Sequence, residues 1–366
     1  MKQTLLVKLA PALEQSAALL RTLQAFNAAC NDIAGTAFEH RTANKMALQE
    51  LVYYDIRQRF GLSAQMCIRA IAKVAEAYKR DREKRPSFRT HGAMTYDERI
   101  LSFPRVDRAS LLTLDGRVEV PFRFGAYQEA RLDRVRGQAD LLYRNGMFFL
   151  ACTVDAPEPA PNEPGEFLGV DLGIINIAAT SDGEVLNDSS GPKHAHVNIV
   201  RARYSRMRTK LQKKGTKSAK RLLRQRSGRE RRFARDVNHC ISKALVSTAQ
   251  GTQRGIALEN LQGIRNRAGQ TVRKRQRRVL HSWAFFQLRA FIAYKAALAG
   301  VRVVLVDPRN TSRTCSHCGH CEQANRRSQS KFLCVACGYA ANADLNAAVN
   351  ISRAAVIPPN AATLAG

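Results

Sequence analysis

The pattern of apolar and polar positions changes character along the chain. Residues 4–9 read as a strand, and Pro11 ends it. From Ala12 to about Arg41 apolar residues recur at helical spacing, with Leu19, Leu20, Leu23 and Phe26 on one face. A second helical stretch runs from about Asn44 to Phe60. A third follows Ser63, a good N-cap, and carries Met66, Ile68, Ile71, Val74 and Tyr78. The charged run Lys79–Arg89 closes this helical block, and the period then becomes that of strands. Leu111–Val120 contains Asp115-Gly116 and Leu141–Val154 contains Asn145-Gly146, dipeptides that supply the positive φ angles of a tight hairpin. The first 155 residues are therefore predicted to be a β-rich module with a helical insertion after its first strand.

Residues 156–165 hold four prolines, which predicts a stiff, extended linker and a domain boundary. Beyond it Phe167–Val185 reads as a strand pair turned at Asp182-Gly183. A helix is expected from about Asp236 to Thr248, a strand at Gly255–Leu258, a long helix over Val279–Ala299 and a strand at Val301–Val306. A last helix is expected from about Asn342 to Ala354, followed by a loose tail.

A chain of 366 residues is long enough for two or three domains. Its net charge of +29 points to a polyanionic partner. No uncharged apolar run reaches the ~20 residues of a membrane span, and Lys8 and Glu14 interrupt the N-terminal apolar stretches, so neither a span nor a signal peptide is expected. Of nine cysteines, Cys30, Cys67, Cys152 and Cys240 are scattered in apolar contexts and read as small core residues. The other five cluster between Cys315 and Cys337, which suits a metal site in a reducing cytosol.

Three acids stand at the ends of apolar elements. Asp171 lies in Phe-Leu-Gly-Val-Asp-Leu-Gly, and Gly173 beyond it is read as leaving room for a ligand. Glu259 closes Gly-Ile-Ala-Leu-Glu, and Asp344 falls in the first turn of an apolar helix, where the dipole favours the carboxylate. Each alone has a plain explanation as a turn, strand-end or capping residue. Together, three carboxylates on adjacent elements can hold two divalent ions about 3.5–4 Å apart for phosphodiester hydrolysis. Oxygen-only ligands suit Mg²⁺ or Mn²⁺.

Cys315-x2-Cys318 and Cys334-x2-Cys337, with a glycine after each pair, have the spacing of a structural Zn²⁺ ribbon. Cys321 competes with Cys318 on spacing, although no glycine follows it. Residues 201–235 carry sixteen Lys/Arg against the single acid Glu230, and Arg265–Arg278 holds seven more. Such stretches neutralise phosphates and carry affinity rather than sequence information, so they do not separate RNA from DNA. Candidate nucleic-acid contacts are Arg206, Lys210, Lys213, Lys214, Lys217, Lys220, Arg221, Arg224, Arg273, Lys274 and Arg275. Arg326, Arg327 and Lys331 would let the ribbon touch nucleic acid as well.

Phe167–Ile177, Ile256–Leu261, Ser282–Gly300, Val306-Asp307-Pro308, Thr311-Ser312, the cysteine knuckles and Asn342-Ala343-Asp344 together resemble the TnpB, or OrfB, proteins of prokaryotic insertion sequences. These are miniature relatives of type V CRISPR nucleases. The specific match covers about half of the chain, nearly all of it after residue 165. The resemblance implies an α+β multidomain protein: a β-barrel wedge domain (1–10 and 85–155) with a helical recognition insertion (11–84), a linker (156–165), an RNase H-like RuvC α/β domain (166–314 and 338–355), an inserted zinc ribbon (315–337) and a tail (356–366). It further implies an RNA-guided DNA endonuclease of the prokaryotic cytoplasm, associated with the nucleoid. Asp171, Glu259 and Asp344 would be its catalytic, Mg²⁺-binding residues. Its partners would be a guide RNA from the end of the element and double-stranded target DNA beside a short flanking motif. Two alternatives are a strand-joining transposase and a non-catalytic guide-binding repressor. The order Asp, Glu, Asp weighs against the first, whose familiar members resemble Asp, Asp, Glu, and the presence of all three acids weighs against the second.

Overall fold

The computed structural model describes residues 1–105, 107–132, 135–173, 176–186, 197–260, 284–328, 330–356 and 362–363. The chain divides into two compact units, Met1–Pro157 and Glu158–Gly366. Both mix helix and sheet. No helix among the described residues is long and apolar enough to cross a membrane.

In the first unit β1 (Lys2–Leu9) is followed by α1 (Leu13–Glu39), α2 (Lys45–Phe60) and α3 (Ala64–Tyr78). Then come β2 (Met94–Tyr96), β3 (Leu101–Arg105), β4 (Arg108–Thr113), β5 (Gly116–Arg123), α4 (Ala126–Leu132), β6 (Val135–Arg144) and β7 (Met147–Asp155). The caps are where the side chains allow them. Asn44 Oδ1 accepts from the Met46 and Ala47 amides, and Ser63 Oγ accepts from the Met66 amide. Leu19, Leu23, Phe26, Cys30 and Ile33 line the buried stripe of α1. The strands form one seven-stranded sheet in the order β2-β6-β7-β1-β5-β4-β3. Its two edge strands are joined by residues 97–100 alone, so the sheet must curl. Asn145 and Gly146, both at positive φ, turn the β6–β7 hairpin.

The second unit contains β8 (Phe167–Asp171), β9 (Ala178–Thr180), β10 (Val185–Leu186), α5 (Val197–Lys214), α6 (Lys217–Gly251), β11 (Gly255–Glu259), α7 (Phe285–Ala299), β12 (Val303–Val306), β13 (Lys331–Leu333), β14 (Ala340–Asn342), α8 (Ala343–Val356) and β15 (Ala362–Thr363). A six-stranded sheet runs β10-β9-β8-β11-β12-β15, with β8, β11 and β12 parallel. Parallel strands must be covered on both faces, and here they are. Leu168, Val170, Ile256 and Leu258 pack with Ile241, Leu245, Leu288 and Ile292 of α6 and α7. Phe167, Ala257, Val304 and Val306 pack with Ile351 of α8. Gly169 permits that second contact: a Cβ there would stand 2.0 Å from the Ala348 carbonyl oxygen.

Several expectations change. The segment after the linker is three strands rather than a pair, with β9 and β10 turned at Asp182-Gly183 and β8 paired to β9. The basic stretch is two helices. Gly215, at φ +67, breaks it, and α6 then continues through the helix expected to start near Asp236. The tail is not loose throughout, because Ala362–Thr363 pairs with β12. Pro159, Ala160 and Asn162 lie against Gly300 and Arg302, so the proline-rich segment is docked on the second unit.

Candidate active site and zinc cluster

The parallel register sets the first two acids side by side. Leu258 pairs with Val170, so Glu259 and Asp171 end adjacent strands at the same level. The crossing of α8 over β8 brings the first turn of α8, with Asp344, to the same end of the sheet. Burial pushes the Asp171 carboxyl up to about 7, helped by the neighbouring charges of Glu259 and Asp344 and opposed by Arg326. Burial raises Glu259 as well, against the pull of Thr311 and Arg326.

Each flanking acid has a partner. Thr311 Oγ1 donates to Glu259 Oε1 at 2.5 Å, and Asn176 Nδ2 donates to Asp344 Oδ2 at 2.8 Å. Arg326 Nη2 stands 3.8 Å from Asp344 Oδ1. Arg326 thus faces all three carboxylates, from a segment whose backbone bridges to Phe332 in the β13 hairpin strand. An excess of buried negative charge with oxygen-only donors is what a divalent cation neutralises, so the residues fit Mg²⁺ or Mn²⁺. A Cβ at Gly173 would meet the Asn176 carbonyl oxygen at 2.7 Å, so this close backbone approach needs the glycine.

The cysteines form a tighter group. The Sγ atoms of Cys315, Cys318, Cys334 and Cys337 all lie within 4.8 Å of one another. Cys315 and Cys337 are 3.8 Å apart, and Cys318 and Cys334 are 3.6 Å apart. Four thiolates at about 2.3 Å from a tetrahedral ion stand about 3.8 Å apart, so the cluster fits zinc. Two matching knuckles produce it. Gly319 and Gly338, at φ +78 and +71, turn the backbone, and their amides donate to the Cys315 and Cys334 carbonyls. The Cys337 and Ala336 amides hold the Cys334 thiol below the usual thiol range, as a metal-binding thiolate requires. Cys321 is outside the group; its backbone bridges to Thr314. Asn346 and Arg353 tie this knuckle to α8: the Ser316 amide donates to Asn346 Oδ1, and Arg353 donates to the Ser316 carbonyl.

Of the basic candidates, Arg206, Lys210, Lys213, Lys214, Lys217, Lys220, Arg221 and Arg224 are exposed around the Gly215 turn, where α5 and α6 fold back on each other. Arg208 and Glu230 pair across that hairpin at 3.1 Å, so the one acid of the stretch is spent within it. Arg273, Lys274 and Arg275 lie outside the described residues. Thr311, Asn176 and the aim of Arg326 at the carboxylates escape a reading of the sequence. The available signals are that Thr311-Ser312, part of the family-like pattern, precedes the first cysteine knuckle and that Arg326 lies between the two knuckles.

Residues 149–263 match the family described as "Probable transposase", and residues 285–351 match the Cas12f1-like TNB domain. A TnpB-like protein of Methanocaldococcus jannaschii is 34% identical over 203 residues, which are 53% of this chain and 70% of the relative. A CRISPR-associated endodeoxyribonuclease, Cas12f1 of Sulfoacidibacillus thermotolerans, is 40% identical over 121 residues, 33% of this chain and 27% of that protein. The chain spans 27%, 36% and 54% of the length of three curated endonuclease relatives. The fold resembles Cas12f1 as solved in a Cas12f1–sgRNA–target DNA complex, with a TM-score of 0.63 at 13% identity, covering 91% of this chain and 82% of that one.

Proposed function

The chain belongs to the TnpB family, and on that premise we propose that it is an RNA-guided DNA endonuclease that hydrolyses target phosphodiesters with divalent metal. The observation that carries this reading is the registered pair of strand ends, Asp171 beside Glu259, met by Asp344 on α8. In this reading the second unit is an RNase H-like, RuvC-type domain (166–314 and 338–355) with a zinc ribbon (315–337). The first unit is a wedge barrel (1–10 and 85–155) carrying a recognition insertion (11–84).

Asp171, Glu259 and Asp344 would hold the divalent ions. When bound, such ions lower the pKa of water and stabilise the leaving oxygen. The protein's own part is positional. Thr311 and Asn176 fix the two flanking carboxylates, and Arg326, which faces them, offers a cation to the scissile phosphate. The tip of the α5–α6 hairpin supplies phosphate contacts without base reading. Delegating sequence to base pairing lets such a surface grip backbone shape alone. Cas12f1 is known as an endodeoxyribonuclease and was solved with sgRNA and target DNA, which supports the same partners here. Stripping RNA from the protein should remove cleavage, and supplying defined guides should restore it and move the cut site with the guide segment. RNA-free protein that cuts one fixed sequence at full rate would sink the guided reading.

A further inference from the structure

Thr311 sits in the turn between β12 and the first cysteine knuckle. Asn310 is in the left-handed region at φ +64, and its carbonyl accepts from the amides of Arg313 and Thr314 at 2.9 Å each. This compact turn buries Thr311, whose hydroxyl reaches Glu259 Oε1 at 2.5 Å, with the Pro308 carbonyl further off at 3.1 Å. The short contact is that of a hydroxyl donating to a carboxylate. The turn is held from the other side by α8. Asn350 Nδ2 donates to the Thr311 carbonyl at 2.9 Å and to the Thr314 carbonyl at 2.7 Å, and Asn346 Nδ2 donates to the Thr314 carbonyl at 2.8 Å. Asn346 and Asn350 lie on the helix that begins with Asp344.

We infer that Thr311 is a positioning residue that aims the Glu259 carboxylate, and that Asn350, by clamping its turn to α8, holds Glu259 and Asp344 in one frame. Two acids from elements 85 residues apart in sequence are thereby linked by one hydroxyl and one amide. Groups that orient a ligating carboxylate typically change metal affinity by roughly 10–100-fold when removed. The inference rests on the metal-dependent reading of the carboxylate site, and its test separates the two.

The full chain, zinc-loaded and freed of RNA, is titrated with MnCl₂, and bound Mn²⁺ is followed by electron paramagnetic resonance. Thr311→Val should weaken Mn²⁺ binding about tenfold with zinc content unchanged, and Thr311→Ser should bind as the parent does. Asn350→Leu should weaken it in the same direction. Parent-like Mn²⁺ binding by Thr311→Val, while Glu259→Gln has lost it, overturns the role of Thr311 and leaves the site intact. A serine variant that binds as poorly as valine also overturns it, since the methyl rather than the hydroxyl would then matter. Parent-like binding by Glu259→Gln would bring down the carboxylate site and this inference together.

Discussion

The two clusters of metal-type ligands in the second unit are built on opposite principles. The thiols come from two knuckles that share one design, and each pair is separated by two residues. Their sulfurs already stand at the spacing of a tetrahedral ion. The carboxylates come from positions 171, 259 and 344, on two strands and a helix, and only the whole sheet with α8 assembles them. Among the described residues the cysteines alone gather their ligand atoms within 4.8 Å. The acids converge at longer range, with Asp171 pushed up to about 7 by burial and by the neighbouring charges of Glu259 and Asp344. A local thiol site contributes its metal energy to folding, whereas the distant carboxylates take a cost from folding that a cation offsets. The first arrangement suits a structural ion and the second an exchangeable one.

The comparison breaks most visibly at the acids. On the proposed function, Asp171→Ala, Glu259→Ala and Asp344→Ala should each lower cleavage by roughly three orders of magnitude, since a site that needs three carboxylates for its metal loses its function with one ligand. The zinc content of each variant should stay at the parent level. Near-parental cleavage by any one variant in Mg²⁺ would remove that residue from the site. The reverse pattern is expected at the thiols. Cys334→Ser should lose the one zinc per chain in elemental analysis and lower the melting temperature. It should also lower cleavage by roughly tenfold, because the Asn346 and Arg353 contacts tie the first knuckle to the helix carrying Asp344. Cys321→Ser should change none of these, and zinc loss in that variant would show that the ligand set includes Cys321.

The same contrast explains what could be read from the sequence. The thiol spacing and its glycines are short-range, so Cys315, Cys318, Cys334 and Cys337 stand out without a fold. The acids are legible as single charges at the ends of apolar runs, and three hairpin turns as Asp-Gly or Asn-Gly. Long-range contacts leave no such mark. Nothing near Thr311 in the sequence announces Glu259, and nothing near Asn176 announces Asp344. Gly173 has a use that the sequence does not show, since a Cβ there would meet the Asn176 carbonyl oxygen. The 201–235 stretch hid its break because the many Lys and Arg obscure helical periodicity, and its two glycines look alike in the sequence although Gly215 alone breaks the helix. The strand Ala362–Thr363 is too short and too small in side chain to announce pairing.

The smallest expected effect is also the most direct measure of the electrostatic cost at the carboxylates. Asp171 titrates near 3.8 when unfolded and near 7 in the metal-free fold, so between those values the folded state holds a proton that the unfolded state has released. Stability from this group is therefore full below about pH 4, falls as pH rises, and is gone above about 7; Glu259, also raised, adds to the same trend. Zinc-loaded protein dialysed free of Mg²⁺ should melt several degrees lower at pH 8 than at pH 5 on this account. Other groups titrate over that range, so the decisive quantity is the difference from Asp171→Asn, which has no charge to release. The variant should show a flatter profile and should be the more stable protein at pH 8. Adding Mg²⁺ at pH 8 should raise the melting temperature of the parent and do much less for Asp171→Asn, because the variant lacks the charge that the cation compensates. Parallel pH profiles for the two proteins would mean that Asp171 is already compensated in the metal-free fold, and the contrast between the two clusters would lose its physical basis.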